Sequence, residues 1–244
     1  MNDIYLGDAL TYLKSLTEKS IDLIITDSPH QIQTRGAGFR KVRDYMDVIY
    51  DNNMADGYST EVLQQFVRVM KKVNMYIFAS KNQLHKLLDF FKDYNVDVLI
   101  WHKLDPIPTI NNKYLSDIEY IVFIRDKGVK MYNTYHSSSK LFQTMVNKQD
   151  AQEYDHPTVK PLHIIETLLL NSSKPGDVVL DPFCGTGTTP LAAKRNDRRY
   201  LASEINPKYH NTALMRLEGF NHQDYILKKQ GSLTIFDLIN EVTS

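Results

Sequence analysis

The chain lacks the means for several classes of chemistry. It has one cysteine, so no intramolecular disulfide can form, and neither a C-x-x-C pair nor a histidine cluster offers zinc-ligand spacing. No metal is expected, and a reducing compartment is. No apolar run approaches membrane-spanning length, and Met1-Asn2-Asp3 leads straight into a short apolar alternation rather than a signal peptide. A cytoplasmic protein without membrane contact is the expectation. Net charge is absent too: 29 Lys plus Arg balance 29 Asp plus Glu, so any polyanion must be met by local basic surface rather than by a global field. No G-x-x-x-x-G-K-[ST] occurs, which removes the usual phosphate cradle of nucleoside triphosphatases.

What is present suffices for one substantial core: 244 residues, 42% of them hydrophobic, predict a single domain over 1–244. Apolar, β-branched runs bounded by polar turns predict strands near 3–6, 22–26, 73–80, 97–102, 119–125, 178–181 and 199–203. Apolar residues at three- and four-residue steps predict helices over Thr60–Lys72, Asn82–Lys92, Leu162–Leu170, Pro190–Arg195 and Pro207–Leu217. Such alternation specifies an α/β fold with a doubly wound, mostly parallel sheet. Two stretches, 31–57 and 126–155, break it.

The most informative local pattern runs from Val178 to Thr188. A buried strand, Val178-Val179-Leu180-Asp181, leads through Pro182-Phe183-Cys184 into Gly185-Thr186-Gly187-Thr188. Two glycines let backbone approach a ligand without Cβ interference, and the polar residues after them open a helix whose first N–H groups are unpaired. The third glycine of G-x-G-x-x-G is missing; Pro190 stands there, which a first helical turn accepts but which disfavours a pyrophosphate cofactor. Glu204 follows a strand about twenty residues later, the spacing at which an acidic side chain accepts hydrogen bonds from ribose hydroxyls. Cys184 reads as a small turn residue.

Other segments accompany this turn. Ile21-Asp22-Leu23-Ile24-Ile25-Thr26-Asp27-Ser28-Pro29-His30 lies far upstream, His156-Pro157-Thr158-Val159-Lys160-Pro161 just upstream, and Tyr200-Leu201-Ala202-Ser203-Glu204-Ile205-Asn206 downstream. With Gly7-Asp8-Ala9-Leu10 and Tyr114 to Phe123, they resemble the amino-DNA methyltransferases that use S-adenosylmethionine, adenine-N6 or cytosine-N4, in the permuted order of the beta class. The resemblance covers most of the chain and is most specific over 156–218. It implies a circularly permuted, Rossmann-like methyltransferase domain with seven strands, one of them antiparallel, for which 119–125 or its neighbour is the candidate. Double-stranded DNA, a restriction-modification setting and a bacterial or phage origin are implied as well.

A sulfonium cofactor presents a positive sulfur, an ammonium, a carboxylate, ribose hydroxyls and adenine. The resemblance assigns Glu204, with Ile205 and Asn206, to the ribose, and Asp181, with Pro182 and Phe183, to the methionine part, where a carboxylate can pair with the ammonium. Cys184, Gly185, Thr186, Gly187 and Thr188 form the turn beneath it. Thr158 and Lys160, beside His156, suit the cofactor carboxylate, and Asp8 with Ala9 falls beside adenine. Taken singly, Glu204 also reads as a surface carboxylate, Asp181 as a helix cap and Lys160 as a solvated cation.

The reaction motif departs from the family pattern, an acidic, amide or hydroxyl residue, then Pro-Pro and an aromatic ring: here it reads Asp27, Ser28, Pro29, His30. A base amine is a poor nucleophile because its lone pair is delocalised. The Asp27 carboxylate and the Ser28 carbonyl can each accept one amine hydrogen and return that density to nitrogen. Ser28 keeps the carbonyl but loosens φ. His30 offers a smaller stacking face, with an ordinary pKa of about 6.5. The basic run after the motif, Arg35, Arg40, Lys41 and Arg43 among glycines, is a candidate phosphate clamp in a DNA-facing insertion at 31–57, and 126–155 is a second. A mobile solvated loop is the alternative for each.

The expectation is therefore a site-specific DNA methyltransferase that flips an adenine, with cytosine-N4 the lesser choice because Asp27 is acidic. The competing reading is a DNA- or cofactor-binding module that lost catalysis through Ser28 and His30; an RNA or small-amine methyltransferase is a third. A homodimer stays open. Gln230-Gly231-Ser232-Leu233-Thr234-Ile235-Phe236 is similar to peptides that dock on bacterial sliding clamps, and also reads as a packed terminal helix.

Overall fold

The computed structural model describes residues 2–27, 58–106, 108, 113–148, 151, 154, 156 and 159–219. Strands β1 (Asp3–Leu6), β2 (Leu23–Asp27), β3 (Asn74–Ala79), β4 (Asn95–Lys103), β5 (Ile118–Arg125), β6 (Leu141–Thr144), β7 (Val178–Asp181) and β8 (Arg199–Glu204) make one sheet in the order β1-β8-β7-β2-β3-β5-β4-β6. Five pairings are parallel and only β5 runs against its neighbours β3 and β4. Of the candidates, 119–125 or its neighbour, the antiparallel strand is the run at 119–125.

Six helices cover the sheet among the described residues: α1 (Ala9–Ser15), α2 (Thr60–Val69), α3 (Lys81–Phe90), α4 (Leu162–Ser172), α5 (Thr188–Arg195) and α6 (Pro207–Leu217). Strand alternation assigns each side chain to a layer. Ile24, Met75, Ile77 and Leu180 face Tyr12, Leu13, Val62, Phe66 and Leu87 of α1 to α3, while Leu23, Ile25, Tyr76, Phe78 and Val179 face Ile164, Ile165, Leu168, Ala192 and Ala193 of α4 and α5. β2 and β3 are buried on both faces, so they read as continuous apolar runs. None of the described helices is long and apolar enough to cross a membrane.

Among the described residues eight strands stand where seven were expected, and the extra one explains itself. β6 is four residues, Leu-Phe-Gln-Thr, with no fully buried side chain, so it carries no apolar run for periodicity to detect. It lies within 126–155, which is consequently not one continuous irregular loop: β6 pairs with β4, Tyr132 N–H donates to Asn171 O, and Asn171 Nδ2 donates to Ser137 O. Helix α1, seven residues long, was also beyond the reach of periodicity.

From β2 the chain crosses to β3 on one side of the sheet, and from β7 it crosses to β8 on the other. The β2–β7 boundary is therefore a topological switch point, where parallel sheets leave a crevice beyond the carboxyl ends of their strands. Asp27, Asp181 and Glu204 are the last residues of β2, β7 and β8.

Candidate active site

Gly185 and Gly187 both have positive φ, 53° and 82°. At Gly187 a Cβ would lie 2.8 Å from Ala213 Cβ and 3.1 Å from its Cα, so glycine is required both by conformation and by the approach of α6 to the turn. At Gly185 a Cβ would meet His156 Nε2 at 3.4 Å. The His156 ring stands edge-on to Tyr209 of α6 at 4.5 Å, and burial, reinforced by the charges of Lys160, Arg216 and Lys208, pushes its pKa down to about 3. It is a neutral wall of the turn. Cys184 is buried and burial pushes its thiol well up, so it is no thiolate nucleophile and remains the small turn residue expected.

Two acidic residues meet this turn. Glu204 accepts hydrogen bonds from Gly185 N–H at 3.0 Å and Asn206 N–H at 2.8 Å; burial raises its pKa, against the pull of these donors. Asp181 is 5% exposed and accepts from Thr26 Oγ1 at 2.9 Å and Phe183 N–H at 3.2 Å. These donors are neutral, and burial pushes its pKa up to about 7. Asp8 lies next to Glu204, since Leu6 pairs with Glu204 and Gly7 N–H donates to Glu204 O. Its carboxylate caps α1 by accepting from Thr11 N–H at 2.8 Å, and Ala9 is buried behind it.

Lys160 sits between two carboxylates. Its ammonium donates to Asp27 Oδ2 at 2.5 Å and pairs with Glu119 Oε1 at 2.9 Å. Burial alone would lower its pKa, but the charges of Asp27 and Glu119 outweigh that and hold it above the usual lysine range. Lys103 at the end of β4 pairs with Glu119 Oε2 at 2.9 Å.

Two of these residues had no role in the sequence reading. Glu119 is a carboxylate in the apolar strand Ile118-Glu119-Tyr120-Ile121-Val122, and Arg216 a cation on the buried face of α6 beside Thr212, Ala213 and Leu217. A charge at a core position of a periodic element is the signal that finds both. Arg216 Nη1 donates to Thr186 O at 2.8 Å, Thr186 Oγ1 at 3.1 Å and Thr188 Oγ1 at 3.2 Å, and its guanidinium lies 4.4 Å from the Tyr154 ring centroid. It locks the glycine turn onto α6.

Asp27, Asp181, Glu204, Gly185, Gly187, His156 and Lys160 thus gather at one end of the sheet. Pro182, Thr186 and Thr188 are buried in the turn, with Phe183, Ile205 and Asn206 partly covered around it. Ser28, Pro29, His30, Thr158, Arg35, Arg40, Lys41 and Arg43 lie outside the described residues, as does the segment from Gln230 to Phe236.

The DNA methylase family model, which spans N6 and N4 methyltransferases, matches residues 21–215. The chain belongs to that family. It is 29% identical to the type II methyltransferase M.HinfI of Haemophilus influenzae, over 89% of this chain and 68% of that protein. It is 27% identical to the type II methyltransferase M2.DpnII of Streptococcus pneumoniae, over 88% and 89%. Among solved structures it is similar to M1.HpyAVI in complex with SAM, at 26% identity and a TM-score of 0.65, covering 89% of this chain and 100% of that one. The cytosine-N4-specific PvuII DNA methyltransferase, 19% identical with a TM-score of 0.65, shares the fold. The protein is a DNA methyltransferase of the N6/N4 family, and its cofactor is S-adenosylmethionine.

The turn suits that cofactor. A carboxylate buried among neutral donors, as Asp181 is, gains most from an arriving cation, and the glycine positions keep the turn open where a Cβ would intrude.

Proposed function

We propose that the protein methylates the exocyclic N6 amine of an adenine flipped out of duplex DNA. The observation that carries this reading is the position of Asp27 at the end of β2, beside the strand that ends in Asp181 and the glycine turn. In this reading Asp181 holds the cofactor ammonium, Glu204 the ribose hydroxyls, and the turn from Pro182 to Thr188 the methionine part. Asp8 with Ala9, and Ile205 with Asn206, border the adenosine, while Thr158 takes the cofactor carboxylate and His156 walls the turn. S-adenosylmethionine supplies the electrophilic methyl group.

The chain's own residues supply orientation and proton acceptance. Asp27 accepts one amine hydrogen and the Ser28 carbonyl the other, which rotates the nitrogen lone pair out of conjugation and toward the methyl group. Pro29 stiffens the loop and His30 stacks on the flipped base. Arg35, Arg40, Lys41 and Arg43 neutralise backbone phosphates around the opening. The acidic first residue of the motif favours adenine over cytosine, and a cytoplasmic location follows from a chromosomal DNA substrate.

Methylation-sensitive sequencing of DNA from cells expressing the chain tests the proposal. N6-methyladenine at a recurring short sequence is the expected result. N4-methylcytosine there would move the base assignment, and unmodified DNA would leave only a binding module.

A further inference from the structure

Sheet order places β3 between β2 and β5, so Asp27 and Glu119 stand on strands that do not pair. Lys160 bridges them across the end of β3, with its ammonium 5.4 Å from the ring centroid of Phe78, the β3 residue in register with Asp27. Lys103 closes the far end on Glu119. Two cations and two anions therefore alternate in the chain Lys103–Glu119–Lys160–Asp27. Its middle pair is buried, Lys160 at 7% and Glu119 at 5% exposure, and its two ends, Asp27 and Lys103, are partly open. Buried ions persist only when closely paired, and each ion of this chain has an opposite charge within 2.9 Å.

We propose that Lys160, backed by Glu119, is a positioning residue for Asp27. Its ammonium fixes the orientation of the Asp27 carboxylate, and Glu119 offsets the lysine charge so that Asp27 turns an undiminished negative charge toward the base amine. The inference rests on the reading of Asp27 as the amine-hydrogen acceptor.

Geometry argues for this over cofactor binding. An ammonium has three donors, and two of them are spent on Asp27 and Glu119. A carboxylate on a strand end has rotamer freedom, and a donor at 2.5 Å on Oδ2 restricts it. A lysine facing Asp27 alone would cancel the charge that the methylated, cationic nitrogen needs nearby. Glu119 prevents that cancellation, and Lys103 in turn holds Glu119.

The test measures S-adenosylmethionine affinity by calorimetry, together with kcat and KM for duplex DNA, on the parent chain, Lys160→Met, Glu119→Gln and the double variant Lys160→Met/Glu119→Leu. The double variant removes the buried pair as a unit and carries the test if Lys160→Met alone fails to fold. Loss of orientation predicts a kcat lowered by about 100-fold in the lysine variants, with cofactor affinity and KM unchanged. Glu119→Gln is expected to lower kcat by a smaller factor, again without moving affinity. An unchanged kcat, or a cofactor affinity that falls in step with kcat, overturns the inference. A parent chain that transfers no methyl group to DNA overturns the assignment of Asp27 itself, a result distinct from an active parent with an equally active Lys160→Met chain.

Discussion

Asp27 and Asp181 end adjacent strands of one sheet, yet they stand in opposite electrical surroundings. Asp27 has the Lys160 ammonium on Oδ2, whereas the Asp181 partners are the hydroxyls of Thr26 and Thr189 and the N–H of Phe183. The difference comes from what crosses each strand end. The segment leading into α4 brings a lysine over β2, and the turn after β7, Pro182 to Gly187, brings only uncharged residues. In the proposed function these two carboxylates serve two tasks, one accepting from the base amine and the other pairing with the cofactor cation.

The largest effect that sharpens this contrast is on chemistry. Asp27→Ala should lower the rate of methyl transfer by about 10²–10⁴-fold, measured as label incorporated into duplex DNA under single-turnover conditions. Retention of the parent rate would remove Asp27 from the reaction.

Next comes the turn on the Asp181 side. Gly187→Ala places a Cβ 2.8 Å from Ala213 Cβ at a φ of 82°, and should cost about 2–4 kcal/mol, read as a lowered urea midpoint. The same substitution at Gly128, where a Cβ meets nothing within 4 Å, should cost less, since only the positive φ opposes it.

A smaller effect separates the carboxylates by pH. In the cofactor-free protein the Asp181 pKa is raised to about 7, above its unfolded value, so the folded state holds the proton more tightly. The Asp181 contribution to stability should therefore fall as pH rises from about 4 to about 7 and then level off, so the parent should lose stability relative to Asp181→Asn over that range. Cofactor affinity should move the other way, rising up to about pH 7 as Asp181 ionises and falling again above about 8 as the ligand amine loses its charge. His156, lowered on folding from 6.5 to about 3, contributes the opposite slope below about pH 6.5, so the Asp181 part is read as the difference between the parent and Asp181→Asn. Urea titrations and calorimetry across this range check both slopes.

The smallest effect concerns the base. His30→Tyr enlarges the stacking face, so activity should rise modestly and its dependence between about pH 6 and 8 should flatten. A pH-rate profile decides whether His30 stacks at all.

Much of this was legible in the amino-acid order because the signals were local. The runs at 178–181 and 199–203, the glycines at 185 and 187 and the periodic helices at 162–170 and 207–217 each carry their own instruction, and all appear as β7, β8, the turn, α4 and α6. The antiparallel strand at 119–125 was legible only through family resemblance. β6 was not, since an exposed edge strand of four residues is defined by its partner β4 rather than by its own pattern. The site divided in the same way. Asp27, Asp181 and Glu204 were placed by motif and spacing. The commitment of Lys160 to Asp27 and Glu119 was hidden, because it depends on contacts separated by 133 residues in one case and on sheet order in the other.

The division of labour between the two carboxylates is tested most directly by calorimetric S-adenosylmethionine binding to Asp27→Ala and Asp181→Ala side by side at neutral pH. The first is expected to bind as the parent chain does and the second to lose most of its affinity. Equal losses, or a loss confined to Asp27→Ala, would contradict it.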